Sequence, residues 1–251
     1  MPKQKGTHRI KGSMGDLSYY KDQDGFKVKE KSGVERSRIL QDPEFELTRQ
    51  NYSEFGRAAK SGKLIRIAFG GLLLNTADTR VHSRLVQRIK KVMNTDRTSA
   101  RGKRAITKGS IEMLRYFEFN IQKPLGGCLY ANYSIVADRA AGTLTVSIPP
   151  FVPGSKVISP TGATHCRIIW GGAAIDFDNS FIDSDDKDVY AEIKLGGMVT
   201  PEITLQHTVT ANTTLPLFMV LGVEFYQEMN GVLYLMKNGG FNSLGLVEVV
   251  G

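Results

Sequence analysis

Thr143-Leu144-Thr145-Val146-Ser147-Ile148 alternates hydroxyl and apolar side chains, the period of a strand with one face in a core and the other toward water. The same period recurs on both sides of it. From about residue 121 onward, segments 129–136, 164–170, 189–195, 203–209, 217–226, 232–236 and 244–250 also read as strands, separated by turn chemistry such as Asn230-Gly231. Eight short strands at this spacing predict an antiparallel β-sandwich or jelly-roll-like domain over 121–251. The joint Pro149-Pro150-Phe151-Val152-Pro153-Gly154 reads as a crossover between its sheets.

Upstream the period is helical. Asp42-Pro43-Glu44 has the order of a helix start: a capping acceptor, proline at the first helical position, then an early acid. Phe45, Tyr52, Phe55 and Ala59 follow on one face, and after Ser61-Gly62 the residues Leu64, Ile65, Ala68, Phe69, Leu72 and Leu73 repeat at helical spacing. Val81, Leu85, Ile89, Val92 and Met93 form the cleanest amphipathic stripe, with Arg80, Arg84, Arg88, Lys90 and Lys91 mainly off it. Segment 111–119 fits a short helix or a strand, periodicity not deciding between them, and the preferred reading is a helix ending near Arg115 with a strand following. Residues 42–120 are therefore expected to be mainly helical. Residues 1–41 read as a basic arm, in which Leu17-Ser18-Tyr19-Tyr20 and Phe26-Lys27-Val28-Lys29-Glu30-Lys31 flank the turn Asp22-Gln23-Asp24-Gly25 as a β-hairpin. The fold class is α+β.

Charge is divided by position. Residues 1–120 hold 26 Lys and Arg against 13 Asp and Glu, whereas residues 121–251 hold 7 against 12. Such a division speaks to partners: the basic half attracts a polyanion or the acidic half of another copy. The densest cations are Arg84, Arg88 and Lys91 on the third helical segment and Arg97, Arg101, Lys103 and Arg104 in the following loop, and these are the candidate contact residues. Asp183, Asp185, Asp186 and Asp188 are the candidate acidic docking patch. A calcium loop counted from Asp183 lacks its glycine and its closing glutamate, Asp188 and Lys194 standing there instead, so no metal is expected.

No nucleotide, hydrolase or zincin signature occurs in the chain. His165 and Cys166 are adjacent on a strand and so point to opposite faces; Cys166 with His207 across a sheet is the remaining nucleophile pairing. No catalytic residue and no cofactor is expected. Two cysteines make no disulfide framework, the basic start leads into no apolar stretch, and no run of about 18 apolar residues occurs, so cytoplasmic residence is expected.

One resemblance spans most of the chain. Gly15-Asp16-Leu17-Ser18-Tyr19-Tyr20, Arg36, Asp42-Pro43, Arg49-Gln50-Asn51, Arg80-Val81, Arg101-Gly102-Lys103-Arg104, Gly162-Ala163-Thr164-His165 and Phe225-Tyr226-Gln227-Glu228 together resemble an uncharacterised group of Bacteroidota proteins of unknown function. The resemblance brings no assigned fold, ligand or catalytic residue. The functional expectation is a non-enzymatic structural protein that assembles with itself into a ring, tube, filament or particle through basic-half to acidic-half contacts. Nucleic-acid binding by the basic helical region is the alternative.

Overall fold

The computed structural model describes residues 3–4, 8–22, 24–30, 34–185, 189–236 and 240–251. They divide into two compact units, residues 1–50 and residues 51–251.

In the first unit β1 (Gly12–Met14), β2 (Leu17–Asp22) and β3 (Gly25–Glu30) form an antiparallel meander, one strand more than the hairpin read from the sequence. Lys27 Nζ pairs with Asp22 at 2.6 Å and Asp24 at 2.9 Å, which raises the lysine pKa. The Phe26 ring is ringed by cations, with the Arg9 guanidinium 5.1 Å and Lys21 Nζ 5.6 Å from its centre. A short helix α1 (Arg36–Gln41) follows. Asp42 then accepts the backbone N–H of Glu44 at 3.0 Å, and the Pro43–Phe45 turn leads into α2 (Glu46–Ala68), the start that Asp42-Pro43-Glu44 announced.

The second unit is organised about two long strands. β7 (His165–Asp176) and β11 (Leu217–Met229) pair antiparallel from Leu217↔Ala174 to Tyr226↔His165 at the middle of a seven-stranded sheet. β13 (Ser243–Val250) and β12 (Val232–Leu235) pair with β11, and β13 carries the short β4 (Phe117–Glu118) on its far side. β8 (Phe181–Asp183) and β9 (Val189–Lys194) share the other edge of β7. A separate three-stranded sheet has the order β10 (Ile203–Thr208), β6 (Thr143–Ile148), β5 (Ser134–Asp138). Among the described residues the one α-helix between these strands is the single turn α5 (Pro153–Lys156), within the proline-rich joint.

Each face of the large sheet buries its own apolar layer. Toward the helices, Ile169, Ala173, Ile175, Phe218, Val220, Leu244 and Leu246 meet Ala58, Leu64 and Ile65 of α2 and the stripe Leu85, Val86, Ile89, Val92 and Met93 of α4 (Val81–Met93). The short α3 (Gly70–Thr76) links these helices. α2 and α4 approach at Gly62, where an added Cβ would lie 3.3 Å from Ile89 Cδ1. On the opposite face, Cys166, Ile168, Trp170, Ala174, Met219, Leu221 and Val223 meet Leu144, Val146, Ile148, Ile203 and Leu205 of the three-stranded sheet. At about 1.5–3 kcal/mol for each fully buried aliphatic side chain, these two layers dominate the stability of the unit. Residues from 51 to 120 thus share a core with the strands.

Candidate functional site

Charge within residues 51–120 is sorted by depth. The stretch holds 15 Lys and Arg against 5 Asp and Glu. Four of those five carboxylates are buried or half-buried and hydrogen-bonded: Glu54, Asp78, Asp96 and Glu118; only Glu112 is exposed. The cations lie mostly outside. The helical layer of this unit therefore presents positive charge with little on the surface to neutralise it.

Asp96 and Glu54 fix the basic loop that follows α4. Asp96 is 2 % exposed and accepts Thr98 N at 2.9 Å, Thr98 Oγ1 at 2.8 Å, Ser99 N at 3.0 Å and Ala105 N at 3.3 Å. Glu54 accepts Gly102 N at 2.9 Å, and Gly102 takes a left-handed φ of 87° that a side chain there would strain. Arg57 completes the clamp from α2, donating Nε to Arg104 O at 2.9 Å, Nη1 to Ser53 Oγ at 3.0 Å and Nη2 to Gly102 O. A segment rich in glycine, serine and cations is thereby held in one conformation.

The seven nominated cations separate into two groups. Lys91, Arg97, Arg101 and Lys103 are exposed, and among the described residues the only hydrogen bond their side chains make is the long one from Arg101 Nη2 to Asn51 Oδ1, at 3.3 Å. Arg84 is structural instead: it donates to Glu118 O at 2.7 Å and Phe119 O at 3.2 Å, pairs with Asp78 and stacks 5.1 Å from the Phe117 ring centre. Arg88 is half-buried and donates Nε to Met113 O at 2.8 Å. Arg104 binds Asn94 Oδ1 at 3.1 Å and lies 3.9 Å from Glu54. Lys60 and Lys63 are further exposed cations of the same layer that helical periodicity alone did not single out, and Lys108 of the basic loop is exposed as well.

The acidic patch is partly spent within the chain. Asp185 faces His207 Nδ1 and accepts Thr208 Oγ1 at 3.0 Å; burial opposes its ionisation, but His207 and Thr208 hold its carboxyl below the usual carboxylate range. Asp183 accepts Thr210 N at 2.8 Å. Asp186 and Asp188 lie outside the described residues. His207 Nε2 meets Trp170 O at 3.2 Å, so neither ring nitrogen is directed at Cys166, whose thiol burial pushes up to about 12. His207, Asp185 and Ser184 line a cavity of about 350 Å³ with Phe69, Leu72, Gly171 and Gly172. Ser184 Oγ donates to Gly172 O at 2.8 Å and Asp185 O at 3.2 Å, and among the described residues no hydrogen bond joins it to His207. Among the described residues no group of three His, Cys, Asp or Glu side chains converges as metal ligands.

Two strings of the sequence resemblance stand side by side on β7 and β11. Thr164 N donates to Tyr226 O at 2.9 Å, and Glu228 N donates to Thr164 Oγ1 at 2.7 Å. Arg167 is held between the Tyr190 and Tyr226 rings, 4.5 Å from each centre, and bonds Glu192 at 2.8 Å.

No family model matches the chain, and no curated protein does. Among solved structures, a chain from the work titled "pH-induced modulation of Streptococcus parasanguinis adhesion by Fap1 fimbriae" is 13% identical, with 46% of this chain and 79% of that one covered and a TM-score of 0.22.

The buried carboxylate of the loop makes one pH prediction. Burial disfavours the charge of Asp96, but the bonds from Ser99, Thr98 and Ala105 outweigh it and place the folded pKa well below the usual range. A depressed folded pKa contributes stability in full above the unfolded value of about 3.9, and the contribution is lost as pH falls below it. Urea unfolding at about pH 7, 4 and 3 should therefore show a steeper acid loss in the wild type than in Asp96→Asn. Parallel pH profiles would assign the acid loss to other carboxylates.

Proposed function

We propose that this is a non-enzymatic binding and assembly protein whose cationic face, centred on Lys91, Arg97, Arg101 and Lys103, engages the phosphates of a nucleic acid. One observation carries the reading: the helical layer turns its cations outward while four of its five carboxylates are buried or half-buried and bonded. Phosphate contacts need dense, accessible Lys and Arg on a fixed support, and the Arg57, Glu54 and Asp96 clamps supply the support. The β-rich part acts as scaffold, and we read its two sheets as a jelly-roll-like sandwich because they enclose one apolar layer between them. Cytoplasmic residence belongs to the same proposal; among the described residues no helix is long and apolar enough to cross a membrane.

The second reading, docking of the same face on Asp183, Asp185, Asp186 and Asp188 of a neighbouring subunit, follows from the charge division of the sequence. It is the weaker of the two because both oxygens of Asp185 are engaged by His207 and Thr208, and Asp183 accepts Thr210 N. Fluorescence anisotropy with labelled DNA and RNA across a salt series separates them. Nucleic-acid binding predicts a micromolar or tighter Kd at low salt that weakens linearly with the logarithm of salt concentration, by about one unit of slope per phosphate contact. No binding of either polymer at about 50 mM salt, with oligomers that salt disperses, would favour the docking reading instead.

A further inference from the structure

β5 is an edge strand. Among the described residues it pairs with β6 alone, so one row of its backbone N–H and C=O groups has no partner strand. Folded proteins shield such edges with lysine, proline, a bulge or a covering segment. Ser134-Ile135-Val136-Ala137-Asp138 contains neither lysine nor proline, and its register with β6 runs without a bulge from Ser134↔Ser147 to Asp138↔Thr143. Val136, at its centre, is 60% exposed. The other edges of this unit are shorter, charged or covered: β4 has two residues, β8 three and β12 four, β9 carries Glu192 and Lys194, and β10 lies against β9.

We propose that two copies of this chain pair through β5, antiparallel about a two-fold axis at Val136, joining their three-stranded sheets into one sheet of six. The strand is complementary to itself in that register. Val136 meets Val136 of the second copy and covers it, while Ser134 faces Asp138, whose Oδ2 has no hydrogen bond among the described residues. Ile135 and Ala137 are half-buried at the margin of the layer between the two sheets, and across the axis each lies opposite the other, so that layer continues from one copy into the next. A two-fold contact uses the same five residues twice, and strand addition satisfies the open backbone row of both. The inference rests on the assembly part of the function proposed above.

Light scattering on the full chain is the test. The wild type is expected at twice the 27.7 kDa chain mass at micromolar concentration. Val136→Lys sets two like charges opposite each other and should halve that mass with an unchanged far-UV circular dichroism spectrum, since the side chain is exposed. Val136→Glu should do the same. An equimolar mixture of the two variants should recover the doubled mass, because Lys then stands opposite Glu. A Lys variant that keeps the wild-type mass, or a mixture that stays monomeric, overturns the β5 register. Oligomers dispersed by high salt yet indifferent to Val136→Lys overturn this interface and leave the assembly reading standing. A wild type monomeric at every concentration and ionic strength overturns both.

Discussion

Trp170→Ala is expected to lower the unfolding free energy by about 4 kcal/mol, the middle of the range for emptying a fully buried aromatic site. Trp170 is the one tryptophan of the chain and has no exposed surface. It sits on the face of β7 that meets the three-stranded sheet, and its Nε1 donates to Leu144 O at 3.1 Å, a direct tie between the two sheets. Removing the ring leaves a cavity and deletes that hydrogen bond between the sheets, and both costs add. For a unit of this size the thermal midpoint should fall by about 8–16 °C. Because the substitution deletes the fluorophore, urea unfolding followed by far-UV circular dichroism is the measurement. A loss below about 1 kcal/mol would mean that the sheets do not depend on this contact.

Replacing Lys91, Arg97, Arg101 and Lys103 together by Ser is expected to weaken nucleic-acid binding by about 100-fold at low salt and to reduce the salt slope by about 3–4 units, roughly 0.9 for each phosphate contact removed. The four side chains are exposed and carry no buried load, so each replacement should change stability by no more than about 0.5 kcal/mol. Arg84→Gln is the matched contrast. It breaks bonds to Asp78, Glu118 O and Phe119 O and should lower the thermal midpoint while leaving the salt slope of binding as it was. The pair of outcomes separates cations that hold the fold from cations that face a partner. If the fourfold variant binds as the wild type does, the cationic face is an ordinary solvated surface.

Elements with one wet face were legible in the sequence. The Leu144, Val146 and Ile148 alternation of β6 and the Leu85, Ile89, Val92 stripe of α4 stand in the structure where the periods put them. Strands covered on both faces were not legible to the same extent. The sequence pattern ends this strand at Trp170, yet β7 continues through Gly171-Gly172-Ala173-Ala174 to Asp176. Those small residues look like a break by propensity, but they are there for room: a Cβ on Gly171 would lie 2.8 Å from Leu72 Cδ1, and one on Gly172 would lie 2.6 Å from Leu144 Cδ1. The pattern over 129–136 predicts one strand, whereas β5 begins at Ser134. Leu129 N bonds Leu125 O at 2.9 Å in a tight turn instead, and Leu129 joins Val157 through an isolated bridge.

The candidate site shows the same divide. Clustered cations were visible as letters, but which of them are free was not, because Arg84 finds its acceptors 34 and 35 residues away and the Arg57 clamp on Gly102 spans 45. Periodicity reports which face a side chain occupies and is silent on such distant partners. The Asp185 to His207 contact, 22 residues apart, was hidden for the same reason.

The double coverage of β7 and β11 also sets where this sequence is free to drift. A strand with one wet face accepts a polar or bulkier residue at every second position, whereas a strand walled in on both sides accepts neither at almost any. Thr145, Ser147, Thr204 and Gln206, on the outward face of the small sheet, can exchange for many residues, while the stretch from Ile168 to Ile175 has almost no permissive position. Substitution tolerance in this chain is therefore layered like the fold, greatest at the two outer surfaces and least in the central sheet. A saturation library read out by soluble yield would trace β7 and β11 as its two deepest troughs.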